Sequence, residues 1–134
     1  MRIVNKGEFM SEYAVIIPNI IELTFEEYTK RALATAKFDP SLGLIYPALG
    51  IAGESGEFVD KIKKEVRNNG KRFGHEMSPE VRLAMLKELG DILWYINQAA
   101  DQLQSTFQEV GAINIEKLED RVRRSVIKSE GDNR

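Results

Sequence analysis

Two long stretches of this chain carry apolar side chains at the three- and four-residue spacing of an α-helix. They cover about 46–68 and 79–104. Ser78 and Pro79 are the N-cap and first-turn residues expected where a helix begins, and Gly70 supplies a stop after the first stretch. Helices of this length bury their apolar sides against other helices, so the chain is constrained to a helical packing.

Two shorter helices complete the pattern. Thr24 with Glu27 forms a capping box that predicts a helix over 24–39, and Ser105 with Gln108 predicts another that continues to Arg124. The segment DPSLG separates the first of these from the long stretches. The side chains predicted to be buried in the first helix are Phe25, Tyr28, Leu33 and Ala36, and the apolar stripe of the second is Leu49, Ala52, Gly56, Val59, Ile62 and Val66.

We therefore predict an all-α fold, an antiparallel bundle of about four helices. Residues 1–23 form a lead-in or arm, 24–128 the helical domain, and 129–134 a polar tail. A chain of 134 residues is the size of one ordinary domain. Because helix-rich chains of this length often complete their core with a second copy, we expect a second chain to complete this bundle.

Composition excludes several classes of function. The chain has 19 basic and 21 acidic residues and a net charge of −2, which argues against polymeric nucleic acid as a partner. It has no cysteine, so disulfides, thiolate zinc sites and cysteine nucleophiles are excluded, and a reducing cytosol is the expected compartment. No apolar run approaches a membrane span and the N-terminus lacks a signal-peptide core, so we expect no membrane partner.

Two pairs of acidic residues stand out on the long helices. Glu54 and Glu57 are three apart, and Glu88 and Asp91 repeat that spacing, so each pair lies on one helix face. A single such pair is ordinarily a solvated face. Two pairs, each embedded in apolar sequence and flanked by glycine, favour a site for Mg²⁺, or alternatively Mn²⁺, which prefer hard oxygen ligands.

Three glycines accompany these acids, namely Gly53, Gly56 and Gly90. We interpret them as clearance, since they remove side chains where helices, a metal or a substrate would come close. A carboxylate-bridged iron site in a bundle is the alternative, but it requires Glu-x-x-His pairs. The chain's one histidine, His75, falls in the loop between the long helices, so the iron alternative is weak.

Basic and aromatic residues near the acids are candidates for substrate contacts. Lys61 and Lys64 follow Glu57 by four and seven residues, and their roles are either helix pairing or phosphate binding, with Lys61 the better candidate. Asp60 and Lys64 are alternatively the helix's solvated side. Asn114, Lys117 and Arg121 form a polar stripe that is either solvated or closes a phosphate site, whereas Trp94 and Tyr95 are either core or base-stacking rings.

The order of these motifs resembles a known family. The chain is similar to the MazG-like nucleotide pyrophosphohydrolases of the all-α NTP pyrophosphatase superfamily. Three motifs in order carry the similarity: ALGIAGESGEFVDKIKK, KELGDILWYI and NIEKLEDR. The resemblance implies a homodimer or dimer of dimers that hydrolyses a nucleoside triphosphate to the monophosphate and pyrophosphate with Mg²⁺. It implies Glu54, Glu57, Glu88 and Asp91 as catalytic metal ligands.

The same resemblance implies that Lys61, Asn114, Lys117 and Arg121 contact the phosphates. Of these, Lys61 is also predicted to be catalytic. Tyr95 is the predicted contact to the base. Related activities stay open, namely a dUTP or dCTP pyrophosphatase or a phosphoribosyl-ATP pyrophosphohydrolase. A non-catalytic helical scaffold whose acids only bind metal is a further alternative. The implied roles in the cell are control of the nucleotide pool or removal of abnormal nucleotides.

Overall fold

The computed structural model describes residues 23–70 and 77–124, and they form four α-helices with no strand among them. The helices are α1 (Phe25–Leu33), α2 (Ile45–Asn69), α3 (Pro79–Gln102) and α4 (Phe107–Arg123), with a 3₁₀ turn at Pro40–Leu42 before α2. The all-α prediction is therefore confirmed for the described part of the chain. None of these helices combines the length and apolar character needed to cross a bilayer.

The predicted bounds of the two long helices are close to those observed. Helix α2 begins and ends within one residue of the prediction, and Gly70 follows it with a φ of +60°, a conformation that glycine adopts without strain. At the start of α3, the Ser78 hydroxyl accepts a hydrogen bond from the backbone N–H of Val81 at 3.3 Å. Local capping chemistry therefore sets both boundaries, which explains why sequence was sufficient to find them.

Helix α1 is shorter than predicted, because it ends at Leu33 and not at residue 39. The Thr35 hydroxyl donates to the carbonyl of Ala32 at 2.7 Å, and the Gln98 amide donates to the same carbonyl at 3.3 Å. The indole N–H of Trp94 in turn donates to the Thr35 hydroxyl at 2.8 Å. Side chains from α3 thus hold the turn that ends α1, a contact distant in sequence that helical spacing does not reveal.

The buried side of α1 also differs from the prediction. Phe25 is 52% exposed, whereas Ala32 is 6% exposed and is the buried residue of this helix. The Phe25 ring packs edge-to-face on Phe107 with centroids 5.0 Å apart, and Tyr28 lies 5.8 Å from the same ring. The prediction that Phe25 is buried was therefore wrong, since about half of the side chain stays exposed despite its contact with Phe107.

Helix α4 begins one residue later than the predicted capping box. The N-cap is Thr106, whose side chain accepts a hydrogen bond from the N–H of Glu109 at 3.1 Å. Ser105 does not cap the backbone, and its hydroxyl instead donates to the Glu109 carboxylate at 2.5 Å. Two adjacent hydroxyl residues compete for this role, so the sequence alone favoured the wrong one.

The chain divides into two compact units. The first unit contains most of α2 and the first part of α3, within Leu49–Leu93. The second unit contains α1 and the start of α2, within Phe25–Ala48, together with the rest of α3 and α4, within 94–123. In the described residues of the first unit, Met85 is the buried apolar side chain. The second unit buries Ala32 and Ala100 together with three polar residues, Asn97, Gln98 and Arg121.

The apolar stripe of α2 lies largely in solvent. Leu49 is 68% exposed, Val59 60% and Val66 46%, and on α3 Leu86 and Leu89 are each 44% exposed. In the predicted bundle these residues would be core, so this expectation fails for the chain taken by itself. The helical spacing was correct, but the described residues supply no surface against which the stripe is buried.

Candidate metal centre

Three carboxylates from the two long helices meet in the first unit. Glu54 and Glu57 project from α2 and Glu88 from α3, and one oxygen of each lies within 4.8 Å of the others. The charge of Asp91 acts on Glu54, and Lys61 pairs with Glu88. Early residues of α2 thus interact with later residues of α3, the order expected of antiparallel neighbours.

Burial and mutual repulsion characterise this cluster. The pKa of the Glu54 carboxyl is raised above its ordinary value, first by burial and then by the charges of Asp91, Glu57 and Glu88. Like charges this close destabilise one another when no cation lies between them. The arrangement therefore has a strong electrostatic tendency to attract a cation.

The fourth predicted ligand occupies a different position. Asp91 is exposed and is not a member of the group whose oxygens lie within 4.8 Å, although its charge still reaches Glu54. The three-residue spacing in sequence places Glu88 and Asp91 on one side of α3, but it does not fix how far each turns toward α2. The structure therefore brings together three of the four predicted ligands.

Lys61 faces the cluster directly. Its Nζ lies 2.8 Å from Oε1 of Glu88, and the side chains are 30% and 12% exposed, respectively. The pKa of Lys61 is raised, chiefly by the hydrogen bond to Glu88 and further by the charges of Glu88, Glu57 and Asp60. Lys61 therefore belongs to the site electrostatically, and its predicted contact with phosphate stays a prediction.

Lys64 has a different partner. Its Nζ lies 2.6 Å from Asp60 Oδ2, and Lys63 pairs with the other oxygen of the same carboxylate. These two lysines lower the pKa of Asp60 to about 2. The interpretation of Asp60 and Lys64 as an ion-paired, solvated side of α2 agrees with these contacts.

The glycines beside the acids border open space. A Cβ atom placed on Gly53, Gly56 or Gly90 meets no heavy atom within 4 Å. No helix among the described residues therefore approaches at these positions, and that part of the clearance interpretation fails for the single chain. Clearance for a metal, a substrate or another chain stays a prediction.

The donor set fits a hard divalent cation. Three carboxylates offer only oxygen ligands, as Mg²⁺ and Mn²⁺ prefer, and their short mutual separation lets them share one ion. His75, on which the iron alternative depended, lies outside the described residues. The residues present are thus sufficient for an oxygen-ligated metal site.

The remaining predicted site residues belong to the second unit. Tyr95 is half-buried, with its ring 4.9 Å from Trp94 and 6.0 Å from Tyr46. Asn114 and Lys117 are exposed, whereas Arg121 is 7% exposed, so the predicted polar stripe is only partly solvated. Their role as substrate contacts stays a prediction.

Sequence reasoning did not single out two amides of the second unit. Asn97 and Gln98 are 1% and 2% exposed, and neither polar atom of the Asn97 side chain finds a hydrogen-bond partner among the described residues. A buried amide without a partner is costly. The available signal was the pair NQ inside the apolar run YINQAA, where a solvated position would not be expected.

These observations indicate a class of protein: an all-α chain in which two long helices bring together three carboxylates that could hold a metal ion. Comparison with known proteins then gives the family. The model of the MazG nucleotide pyrophosphohydrolase domain matches residues 47–125, more than half of the chain. The chain belongs to the MazG nucleotide pyrophosphohydrolase family.

One relative adds to this assignment. The Gene 37 protein of Mycobacterium phage L5 is 38% identical over 92 residues, which cover 69% of this chain and 77% of the phage protein. The name of that relative states no activity. No solved structure matches the chain.

Proposed function

We propose that this protein is a Mg²⁺-dependent nucleoside triphosphate pyrophosphohydrolase that converts a ribo- or deoxyribonucleoside triphosphate to the monophosphate and pyrophosphate. The observation that carries the proposal is the convergence of Glu54, Glu57 and Glu88 within 4.8 Å in a member of this family. The proposed place of action is the cytoplasm, and the proposed role is control or cleaning of the nucleotide pool.

The chemistry assigned to the chain's own residues is electrostatic and acid–base. Glu54, Glu57 and Glu88 would hold the cation, with Asp91 beside them adding negative charge. A bound Mg²⁺ supplies charge neutralisation for the triphosphate and a lower pKa for an attacking water. A carboxylate oxygen of the cluster would accept a proton from the attacking water as the water oxygen bonds to the α-phosphorus and the bond to the pyrophosphate oxygen breaks in line with it. The Lys61 ammonium stabilises the charge that accumulates on the departing pyrophosphate.

A panel of natural and damaged nucleoside triphosphates, with pyrophosphate detection, tests this proposal. Glu57→Gln removes one ligand charge with little change of shape, and we expect it to abolish pyrophosphate release while the helical circular dichroism persists. Glu116→Gln makes the same change at an exposed position of α4 and is the matched control. Wild-type turnover by Glu57→Gln, or no turnover of any triphosphate by the unaltered protein with Mg²⁺, would refute the proposal.

We further propose that two copies of the chain associate through the exposed stripe of α2. This stripe has the alternating three- and four-residue spacing of a helix–helix seam. Its positions are Leu49, Ala52, Gly56, Val59, Lys63 and Val66, of which only Lys63 is charged. In the described residues of the first unit, Met85 is the buried apolar side chain, which is too small a core for that unit to be stable alone. A second copy of the chain presents the same stripe, and the small residues Ala52 and Gly56 would let the two α2 helices approach closely. The simplest partner for the stripe is therefore the same stripe on a second copy.

Light scattering after gel filtration tests this association. Val59→Lys places a charge in the seam and should convert a dimer or larger oligomer to monomer, with a loss of thermal stability. Lys37→Glu changes charge at an exposed position away from the stripe and should leave the mass unchanged. A monomeric wild-type protein would exclude the second copy.

The finer substrate contacts stay predictions that kinetics can test. If Tyr95, Asn114, Lys117 and Arg121 contact the nucleotide, substitution of each should raise KM more than it lowers kcat. The same substrate panel separates a broad pyrophosphohydrolase from a dUTP, dCTP or phosphoribosyl-ATP enzyme.

A further inference from the structure

Lys61 has a position that phosphate binding does not require. Its ammonium lies 2.8 Å from Glu88 Oε1, on a carboxylate that is only 12% exposed and that is one of the three candidate metal ligands. A lysine whose task was to bind phosphate alone would be expected to extend into solvent. Here the lysine supplies positive charge to the acidic cluster.

The two neighbouring lysines of α2 have a different partner. Lys63 and Lys64 both pair with Asp60, so of the three lysines on this part of α2, Lys61 alone is paired with a member of the cluster. Because the Glu88 side chain is only 12% exposed and the ammonium already occupies an acceptor position of Oε1, a cation that coordinates this oxygen competes with the ammonium for it.

We propose that Lys61 is an internal competitor for the metal site: its ammonium neutralises Glu88 in the metal-free protein, and a divalent cation must displace it to bind. This inference rests on the proposed metal site and deepens it. The displaced ammonium remains on the acid-bearing side of α2, four residues from Glu57, where it is available to an anionic ligand of the metal.

The alternative role for the same contact has the opposite consequence. If the hydrogen bond from Lys61 served to orient Glu88 for the metal, loss of the ammonium would weaken metal binding, as loss of an outer-shell partner does at other metal sites. If the contact were only a surface ion pair, its loss would change metal binding very little. The sign of the change therefore discriminates among the three roles.

The experiment measures Mn²⁺ binding without substrate, by calorimetry and by the electron paramagnetic resonance signal of free Mn²⁺. Lys61→Met keeps the length and removes the charge, and we expect it to bind Mn²⁺ roughly fivefold or more tightly than the unaltered protein. Lys64→Met removes a charge one turn farther along, where the partner is Asp60, and should change the affinity by less than about twofold. Lys61→Arg keeps a competing cation and should stay near the wild-type value.

The outcomes are distinct. Tighter binding by Lys61→Met and not by Lys64→Met supports the proposal, whereas equal or weaker binding by Lys61→Met overturns it and leaves the metal site intact. If the unaltered protein binds no Mn²⁺, both this inference and the proposed function fail. Should Lys61→Met not fold, ¹⁵N resonances of lysine ammonium groups in the unaltered chain answer the question. A Lys61 signal that saturating Mg²⁺ leaves unchanged would overturn the proposal.

Discussion

Replacement of Glu54 by glutamine should stabilise the metal-free protein and, at the same time, make it insensitive to metal. In the absence of a cation, Glu54 is a partly buried carboxylate among other carboxylates, and its raised pKa reflects that unfavourable environment. Glutamine has nearly the same shape and no charge. The substitution therefore removes repulsion from the folded state without removing packing.

The size of the effect follows from the geometry. Oxygens of Glu54, Glu57 and Glu88 lie within 4.8 Å of one another. At that separation two unit charges repel by about 1 kcal/mol in bulk water and by roughly 3–4 kcal/mol at the effective dielectric of a protein surface. Because Glu57 is exposed and Lys61 offsets part of the charge, we expect a net gain of about 1–2 kcal/mol, or a rise in Tm of about 3–6 °C for a domain of this size.

Thermal and urea unfolding, followed by circular dichroism in EDTA and then in Mg²⁺, measures this gain. In EDTA the Glu54→Gln variant should unfold at the higher temperature. With Mg²⁺ the order should reverse, because the wild-type protein gains the free energy of metal binding and the variant loses a ligand. Glu116→Gln, at an exposed position of α4, should follow the wild-type protein in both conditions.

The pH dependence has a definite sign. The folded-state pKa of Glu54 is raised above 4.5, so the folded protein retains this proton to higher pH than the unfolded chain. Metal-free stability attributable to Glu54 should therefore fall as pH rises from about 4.5 through the folded-state pKa, and Glu54→Gln should remove that fall. A Glu54→Gln variant that is less stable than wild type in EDTA, or that Mg²⁺ stabilises as much as wild type, would contradict this prediction.

Three further predictions concern local interactions. Trp94→Phe removes the indole hydrogen bond to Thr35 and should lower the free energy of unfolding by about 0.5–1 kcal/mol in urea titrations, and in a double-mutant cycle with Thr35→Val the losses should be less than additive because each single variant removes this bond. Additive losses would show that the two side chains act independently. Thr106→Ala removes the N-cap of α4 and should cost about 1 kcal/mol in the same assay, so an unchanged transition would contradict the cap. The ¹³C resonance of the Asp60 carboxyl should titrate with a midpoint of about 2, so its ion pairs persist above 3.8 and are lost as pH falls toward 2. Replacement of its two lysine partners by methionine should return the midpoint toward 3.8, and a midpoint that stays low would assign the shift to another cause.

Features determined by local geometry were predictable from the sequence. The ends of α2 and the start of α3 follow from Gly70, Ser78 and Pro79, because these residues satisfy or terminate backbone hydrogen bonds within a few positions of themselves. The pairing of Glu54 with Glu57 on one helix face follows from the helical repeat in the same way. The family resemblance placed these motifs in order, and the family is confirmed.

Features that depend on contacts distant in sequence were not predictable. The end of α1 at Leu33 depends on Trp94 and Gln98, some sixty residues later in the chain, which hold the turn after it. Phe25 is exposed, and this could not be predicted because the burial of a side chain depends on which surfaces the other helices present to it. Helical spacing gives the direction in which a side chain points around the helix axis. It contains no information about which residues of another helix lie opposite that side chain.

The order of amino acids was sufficient to predict that the chain is helical, which residues bear the charges, and that two acidic pairs recur at one helical spacing. The packing of α2 against α3 was needed to show that Glu88 joins Glu54 and Glu57 while Asp91 lies outside the group, and that Lys61 is paired with Glu88. Coulomb interactions and coordination depend on separations of a few ångströms between two helices. Those separations are set by packing, which the order of residues along either helix does not specify.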